Sequence, residues 1–495
     1  MGGVGTARRT AQLVRRPSAP RAPSRRPPKS APEAVATISI DAIAAGGDGV
    51  GRADGLAVFV PRTAPGDVAQ VAFTTRGRLG RGRVLQLLTH SAQRVAPACP
   101  HYEGDRCGGC QLQHLNATAQ QATRRHIVQD ALARIGKRSV PLPPLTTDQQ
   151  WGYRGRLTLS LHRKGQGWVG GLHPHDDPLR VFPLESCLIA HPLLVEVWRK
   201  VRELLRRNTL ADAPTLRLAL RLDGATNDEL PGVALVMQGG AAWPDANAFG
   251  AACGAAHAAV TAVWWLDGAQ HAHALWSRAR GLMSGAAAVP TSDEAPDPEA
   301  NADFLPSADD ALAFAQVNEG VATALRDRVF DAVQAFAPVR VVDAYAGTGP
   351  LAERLAQQGL QVLAIEADRA GANAILARLA EGDATVRGRV RVVCDLVERA
   401  LPASAASASD VVVLNPPRRG VDPKVTAWLE AAPAGVRGVV YVSCNPATLA
   451  RDLARLPSWA VTSLECFDMF PQTAHVETVC VLQRESQPGT QREIE

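Results

Sequence analysis

From Asp310 onward the chain alternates short, unbroken runs of Val, Ile and Leu with helix-length stretches, and this alternation restricts the fold more than any other feature. A helix over Asn318–Phe336 leads to a strand at Val339–Asp343, a helix at Leu351–Gln358, a strand at Gln361–Glu366, a helix at Arg369–Glu381 and strands at Val390–Cys394 and Asp410–Asn415. A helix at Lys424–Ala431 and strands at Gly438–Ser443 and Thr478–Leu482 continue the pattern. Strands with aliphatic side chains at successive positions have both faces covered, which requires helices on both sides of a parallel sheet. Residues 306–485 are therefore expected to form a Rossmann-like, doubly wound α/β domain.

Open sheets of this kind bind ligands at the carboxyl ends of their strands. The strand Val339–Asp343 runs into Asp343-Ala344-Tyr345-Ala346-Gly347-Thr348-Gly349-Pro350-Leu351, whose glycines permit a sharp turn beneath a helix N-terminus. The next strand ends in Glu366, placed to accept hydrogen bonds from the two ribose hydroxyls of an adenosine. The G-x-G-x-x-G spacing of a dinucleotide site is absent, and the D-x-x-x-G-x-G form points to S-adenosylmethionine.

Two further strand ends open on the same edge, Asn415-Pro416-Pro417-Arg418 and Tyr441-Val442-Ser443-Cys444-Asn445-Pro446. Cys444 is the candidate thiolate nucleophile, in a loop stiffened by Pro446. Taken alone, a free cysteine reads equally well as a buried core residue. Glu477 enters the last strand after Asp468-Met469-Phe470-Pro471-Gln472-Thr473-Ala474-His475-Val476 and is the candidate general base, because partial burial lifts a carboxyl pKa. His475 is the rival base.

The rest of the chain divides differently. Residues 34–95 carry four β-rich runs (Ala36–Ile40, Ala57–Val60, Val68–Phe73 and Arg83–Leu88) separated by Gly46-Gly47-Asp48-Gly49 and Pro65-Gly66-Asp67, the pattern of a small OB-like β-barrel. Arg76, Arg78, Arg81 and Arg83 crowd its third and fourth runs, as a nucleic-acid surface or an ordinary solvated face would. Residues 96–305 read as a central α+β domain, with a helix at Thr118–Ile135, strands near Arg154–His162, Leu216–Leu222 and Val233–Gln238, and a linker around Ser292–Asp303. This span holds Cys99, Cys107, Cys110 and Cys187, four thiols able to enclose a metal centre.

Composition sets the outer limits. The formal charge is +5, yet the first 30 residues contain seven Arg and one Lys without an acid, so residues 1–33 read as a disordered basic tail ahead of a slightly acidic body, and 486–495 as a second tail. No apolar run approaches the roughly 20 residues of a membrane span, and no signal peptide is apparent. A soluble cytoplasmic protein is expected, whose nine cysteines act as ligands, nucleophiles or core residues and not as disulfides.

At the Asp343–Gly349 turn, at Asn415-Pro416-Pro417-Arg418, at Ser443-Cys444-Asn445-Pro446 and at Phe470-Pro471-x-Thr473-x-His475-Val476-Glu477 the chain resembles the RNA uracil-5 methyltransferase family. Phe314-Ala315-Gln316-Val317-Asn318 resembles the family's Gln-containing element, and residues 36–94 resemble the TRAM barrel that precedes some members. The resemblance implies S-adenosylmethionine-dependent methylation of C5 of a uridine in RNA. Cys444 would add to C6, Glu477 would remove the C5 proton, Gln316, Tyr345, Glu366 and Asn415 would contact the methyl donor, and the base would be flipped out. It also implies a [4Fe-4S] cluster on Cys99, Cys107, Cys110 and Cys187, with zinc on the same thiolates as the alternative, while Cys253, Cys394, Cys466 and Cys480 read as core. By analogy with members that share barrel and cysteines, the RNA is 23S rRNA rather than tRNA uridine 54, with no membrane and no obligate protein partner. Asn415 stands where the family commonly has Asp, and Pro350 where some members have a polar donor. The rival functions are an RNA-binding protein with an inactive catalytic domain and a cytosine-C5 methyltransferase. The missing C-x3-C-x2-C spacing argues against a radical methylating enzyme.

Overall fold

The structure, a computed structural model, describes residues 33–165, 167–208, 210–223, 231–278, 281–282, 316–404, 411–431 and 435–484. Residues 1–32 of the basic tail, the linker expected at 292–303, Phe314 and Ala315, Asp410 and the tail 486–495 lie outside them.

Five strands close the N-terminal barrel: β1 (Ala34–Ile43), β2 (Gly49–Ala53), β3 (Leu56–Val60), β4 (Val68–Arg76) and β5 (Leu79–Thr89), in the order β1-β2-β3-β5-β4. The sequence pattern shows four of them. It reads the fifth, β2, as a turn because of its glycines, yet Gly51 sits where a Cβ would strike the Ser39 carbonyl, so the barrel closes there only without a side chain. Ile38, Ile40, Val58, Val60, Val71 and Phe73 fill the interior. Of the four barrel arginines, Arg81 and Arg83 pair with Asp48 and Glu33, and all four are exposed.

The central sheet contains β7 (Arg156–Lys164), β8 (Gly167–Leu172), β9 (Phe182–Pro183), β10 (Thr215–Asp223), β11 (Gly232–Gln238), β12 (Val260–Leu266), β13 (Ala272–Ser277) and β14 (Gly281–Leu282), ordered β14-β13-β12-β11-β10-β7-β8-β9. Helices Pro192–Leu205 and Ala246–Ala256 cover it, burying Trp198 and Phe249 against Leu159 and Leu218. Neither helix is apparent from the sequence, the second because its Ala-rich composition has little contrast between faces.

In the C-terminal sheet β15 (Arg340–Ala344), β16 (Gln361–Glu366), β17 (Val390–Cys394), β18 (Val411–Leu414) and β19 (Gly438–Ser443) are parallel, and β20 (Trp459–Phe467) and β21 (Glu477–Arg484) complete the order β17-β16-β15-β18-β19-β21-β20. Separate apolar clusters pack on its two faces, one around Val342, Val412 and Tyr441, the other around Val341, Val413 and Val440. Strand order reverses at β15, which pairs with both β16 and β18, so the Asp343–Gly349 turn leaves the sheet at its switch point.

The span 96–305 is shared between two cores. Helix Ala117–Arg134 inserts Val128 and Leu132 into the C-terminal core, and β6 (Leu145–Thr146) adds an edge strand to β20. Arg138 reinforces the junction by donating to the carbonyls of Leu453, Leu456 and Trp459. Cys253, Cys466 and Cys480 are buried, as expected of core residues. Cys394 is not: it is exposed, because it ends β17, the edge strand of the sheet. No described helix is long and apolar enough to cross a membrane.

Candidate active site

The register of two strands brings the nucleophile and the base together. β19 and β21 are antiparallel with Ser443 opposite Thr478, and Thr478 Oγ1 donates to the Ser443 carbonyl at 3.2 Å. Cys444 follows the last residue of β19 and Glu477 is the first residue of β21, so both adjoin that last pair at the carboxyl edge of the parallel sheet. Cys444 is half-buried and Glu477 is 5% exposed. Burial first, and then the Glu477 carboxylate, push the Cys444 thiol above its ordinary pKa, while Arg418 opposes both. Burial lifts Glu477 from 4.5 to about 7, again against Arg418. A carboxylate with that value is a competent proton acceptor near neutral pH.

Arg418 belongs to a stretch visible in the sequence, but its role emerges only here: it is the cation acting on both groups. Its backbone is held by the Cys444 loop, since Asn445 Nδ2 and Thr448 Oγ1 donate to the Arg418 carbonyl at 3.2 and 3.4 Å. Asn445 also caps the helix Pro446–Leu453 through the Ala447 N–H, which fixes the direction in which the chain leaves Cys444. His475 is exposed on the turn before β21, its pKa held down by desolvation, Arg418 and Arg154, two residues short of the strand that begins at Glu477.

The glycine turn lies two strands away. Tyr345, Gly347 and Gly349 all adopt left-handed backbone, with φ of 64°, 59° and 81°. The Glu366 carboxylate reaches back across the turn, accepting from the N–H groups of Gly347 and Asp368, both at 2.8 Å. Asn415 is exposed at the end of β18 and donates its N–H to the Ala344 carbonyl. Tyr345, Glu366 and Asn415 thus converge on one turn. Gln316 is half-buried ahead of helix Glu319–Gln334, and among the described residues no hydrogen bond ties it to that turn. Asp343 is the acid of the D-x-x-x-G-x-G form, but its surroundings emerge only here. It is 3% exposed, burial and then Glu366 raise its pKa to about 7, and its Oδ2 has no partner. An orphaned buried acceptor beneath a glycine turn, beside a second acid, fits a ligand that brings hydroxyl or cationic donors.

Cys99, Cys107, Cys110 and Cys187 line a single cavity of about 110 Å³, together with Tyr102 and Arg154. Cys187 is half-buried and faces this cavity. Burial holds the Cys107 and Cys110 thiols up at about 11 and about 12, and Cys99, Cys107 and Cys187 each raise the pKa of another thiol in the set. Among the described residues no three Cys, His, Asp or Glu stand close enough to hold a single metal ion. Four thiols lining one cavity have the donor chemistry of a thiolate-ligated group.

Comparison with known proteins agrees with this geometry. The family model for tRNA (uracil-5-)-methyltransferase matches residues 307–485. An uncharacterized RNA methyltransferase of Thermosynechococcus vestitus is 31% identical over 91% of this chain and 98% of its own length. The 23S rRNA (uracil(1939)-C(5))-methyltransferase RlmD of Thiobacillus denitrificans is 31% identical over 88% of this chain and 97% of its own. The chain belongs to the RNA uracil-5 methyltransferase family. In fold, this RNA methyltransferase family member is similar to the tRNA (uracil-54, C5)-methyltransferase of Pyrococcus abyssi solved with S-adenosyl-L-homocysteine, at a TM-score of 0.62 and 20% identity over 90% of this chain and 99% of that one.

Proposed function

We propose that this enzyme methylates C5 of a uridine in RNA through a covalent bond between Cys444 and C6 of the base. The observation that carries the reading is that Cys444 and Glu477 both adjoin the paired Ser443 and Thr478, with the Glu477 carboxylate acting on the thiol and Arg418 on both, at the sheet edge that also carries the Asp343–Gly349 turn. S-adenosylmethionine supplies the methyl group. Tyr345, Glu366 and Asn415 would hold it, together with Gln316 from the entrance of the domain, and the acids Asp343 and Glu366 match its ribose hydroxyls and positive charge.

Cys444 acts as thiolate, and Arg418 favours that form against burial. Its sulfur bonds to C6, and the electron pair of the C5–C6 double bond moves to C5 and the adjacent carbonyl. C5 takes the methyl group as the S–CH3 bond of the sulfonium breaks, its electron pair staying on sulfur to leave S-adenosylhomocysteine. Glu477 then accepts the C5 proton. The electrons of that C–H bond restore the double bond, and the C6–S bond breaks to return the thiolate. A flipped base is required, because C6 of a stacked uridine cannot reach a half-buried thiol. The full-length similarity to RlmD proteins favours 23S rRNA over tRNA. A [4Fe-4S] cluster on Cys99, Cys107, Cys110 and Cys187 is proposed as a structural group; iron and acid-labile sulfide in the purified protein, against zinc, test that assignment.

The activity is tested with unmodified 23S rRNA and bulk tRNA and labelled S-adenosylmethionine. Label in 5-methyluridine of the rRNA is expected. Cys444→Ala should abolish both turnover and protein–RNA adduct, whereas Glu477→Gln should let the adduct accumulate. Label in 5-methylcytidine, or Cys444→Ala at wild-type rate, would overturn the assignment.

A further inference from the structure

The turn that delivers Glu477 is gripped from behind by residues of the cysteine-bearing segment. Gln472 is 4% exposed and has a left-handed backbone, φ 70°, a conformation that costs a residue with a Cβ about 1 kcal/mol and persists only where the surroundings impose it. Its carbonyl accepts two N–H groups, from Gln111 at 3.1 Å and Leu112 at 3.0 Å, the residues that follow Cys110. Its side chain and its own N–H meet a single partner: Gln120 Nε2 donates to Gln472 Oε1 at 2.9 Å, and Gln120 Oε1 accepts from the Gln472 N–H at 3.2 Å. The flanking carbonyls are held as well, Pro471 by the Tyr153 hydroxyl at 3.0 Å and Thr473 by Arg124 Nε at 3.1 Å. Arg124 Nη2 in turn donates to Gln120 Oε1.

The β19–β21 register ends at Ser443 and Thr478 and leaves free how the chain enters β21, where Glu477 is the first residue. A general base must lie within hydrogen-bond reach of the proton it takes, and a misplacement of about 1 Å lowers a rate about 100-fold. We propose that Gln472 and Gln120 are positioning residues, which hold the 470–475 turn in a strained shape so that the Glu477 carboxylate faces C5, the carbon next to the one bonded to Cys444. This rests on the role given to Glu477 above. It assigns the cysteine-bearing segment a part in the chemistry, since that segment supplies the donors to the turn.

The test is Gln120→Leu, which keeps side-chain bulk and removes the paired amide, with Gln472→Gly as the second variant. The glycine retains the left-handed backbone and the carbonyl clamp, so it reports on the amide contact if Gln120→Leu fails to fold. Both are expected to lower kcat about 10-fold, leave KM for S-adenosylmethionine unchanged, and raise the fraction of enzyme trapped as protein–RNA adduct. Wild-type kcat in the folded variants, or a fall in kcat with no rise in adduct while Glu477→Gln does trap it, overturns the positioning role. If Glu477→Gln itself traps no adduct, the assignment of the base fails, and kcat and KM of Gln120→Leu still decide whether the clamp matters.

Discussion

At the scale of single residues the site trades stability for a usable base. Glu477 titrates at about 7 in the folded protein against an ordinary 4.5, so folding favours its protonated form. Below pH 4.5 the group is protonated in both states and costs nothing; the penalty grows as pH rises through 4.5 to 7 and is constant above. Glu477→Gln should therefore stabilise the protein at pH 8 by roughly 2–3 kcal/mol, with no gain at pH 4, as urea unfolding at the two pH values would show. Asp343 titrates in the same sense, and the comparison with wild type cancels its contribution. For turnover the sign reverses, because a protonated Glu477 cannot accept the C5 proton. The rate should fall as pH drops through about 7, and a pH–rate profile flat between pH 6 and 8 would contradict the role.

At the scale of elements the glycine turn separates strain from ligand space. Gly349 has φ 81°, and a Cβ there would lie 2.8 Å from Ile375 Cγ1 on the helix Arg369–Glu381. Gly349→Ala should cost about 1–3 kcal/mol of stability. Gly347, with φ 59°, has open space around its Cβ position, so Gly347→Ala should cost about 1 kcal/mol at most while weakening S-adenosylmethionine binding, since its N–H is a donor that holds the Glu366 carboxylate. Thermal unfolding and calorimetric titration of the two variants distinguish the effects. Equal loss of stability in both would refute the distinction.

At the scale of the molecule, helix Ala117–Arg134 packs on the C-terminal core and against Ile43 and Ala64 of the N-terminal segment, and its Arg124 pairs with Asp468 at 3.3 Å, both side chains 0% exposed. Burial dominates each partner, lowering the arginine pKa and raising that of the aspartate, so the pair adds little net stability by itself. Breaking it is another matter: Arg124→Met leaves a carboxylate without a counter-charge in the interior and should cost about 3–5 kcal/mol in denaturant unfolding. Arg124→Met combined with Asp468→Leu should recover much of that loss. A double variant no more stable than Arg124→Met would show that Arg124 acts through its bond to the Thr473 carbonyl instead.

The catalytic sheet was legible because its strands are buried on both faces and so read as unbroken aliphatic runs; Gln361–Glu366, Val390–Cys394 and Gly438–Ser443 fall where that pattern puts them. The chemistry at strand ends was legible for the same reason, since a parallel sheet gathers those ends on one edge. Cys444, Glu366 and the Asp343–Gly349 turn needed no coordinates to be singled out. The strand β2 and the helix Ala246–Ala256 were hidden, because glycine and alanine carry little contrast between a buried face and an exposed one. Pairings across large sequence separations belonged to the tertiary structure alone. Local pattern cannot show that Gln120 meets Gln472, that Leu145 extends the catalytic sheet, or that Arg418 lies over both Cys444 and Glu477. Periodicity records which face of an element is apolar, whereas a hydrogen bond between residues 352 positions apart depends on where two whole elements come to rest.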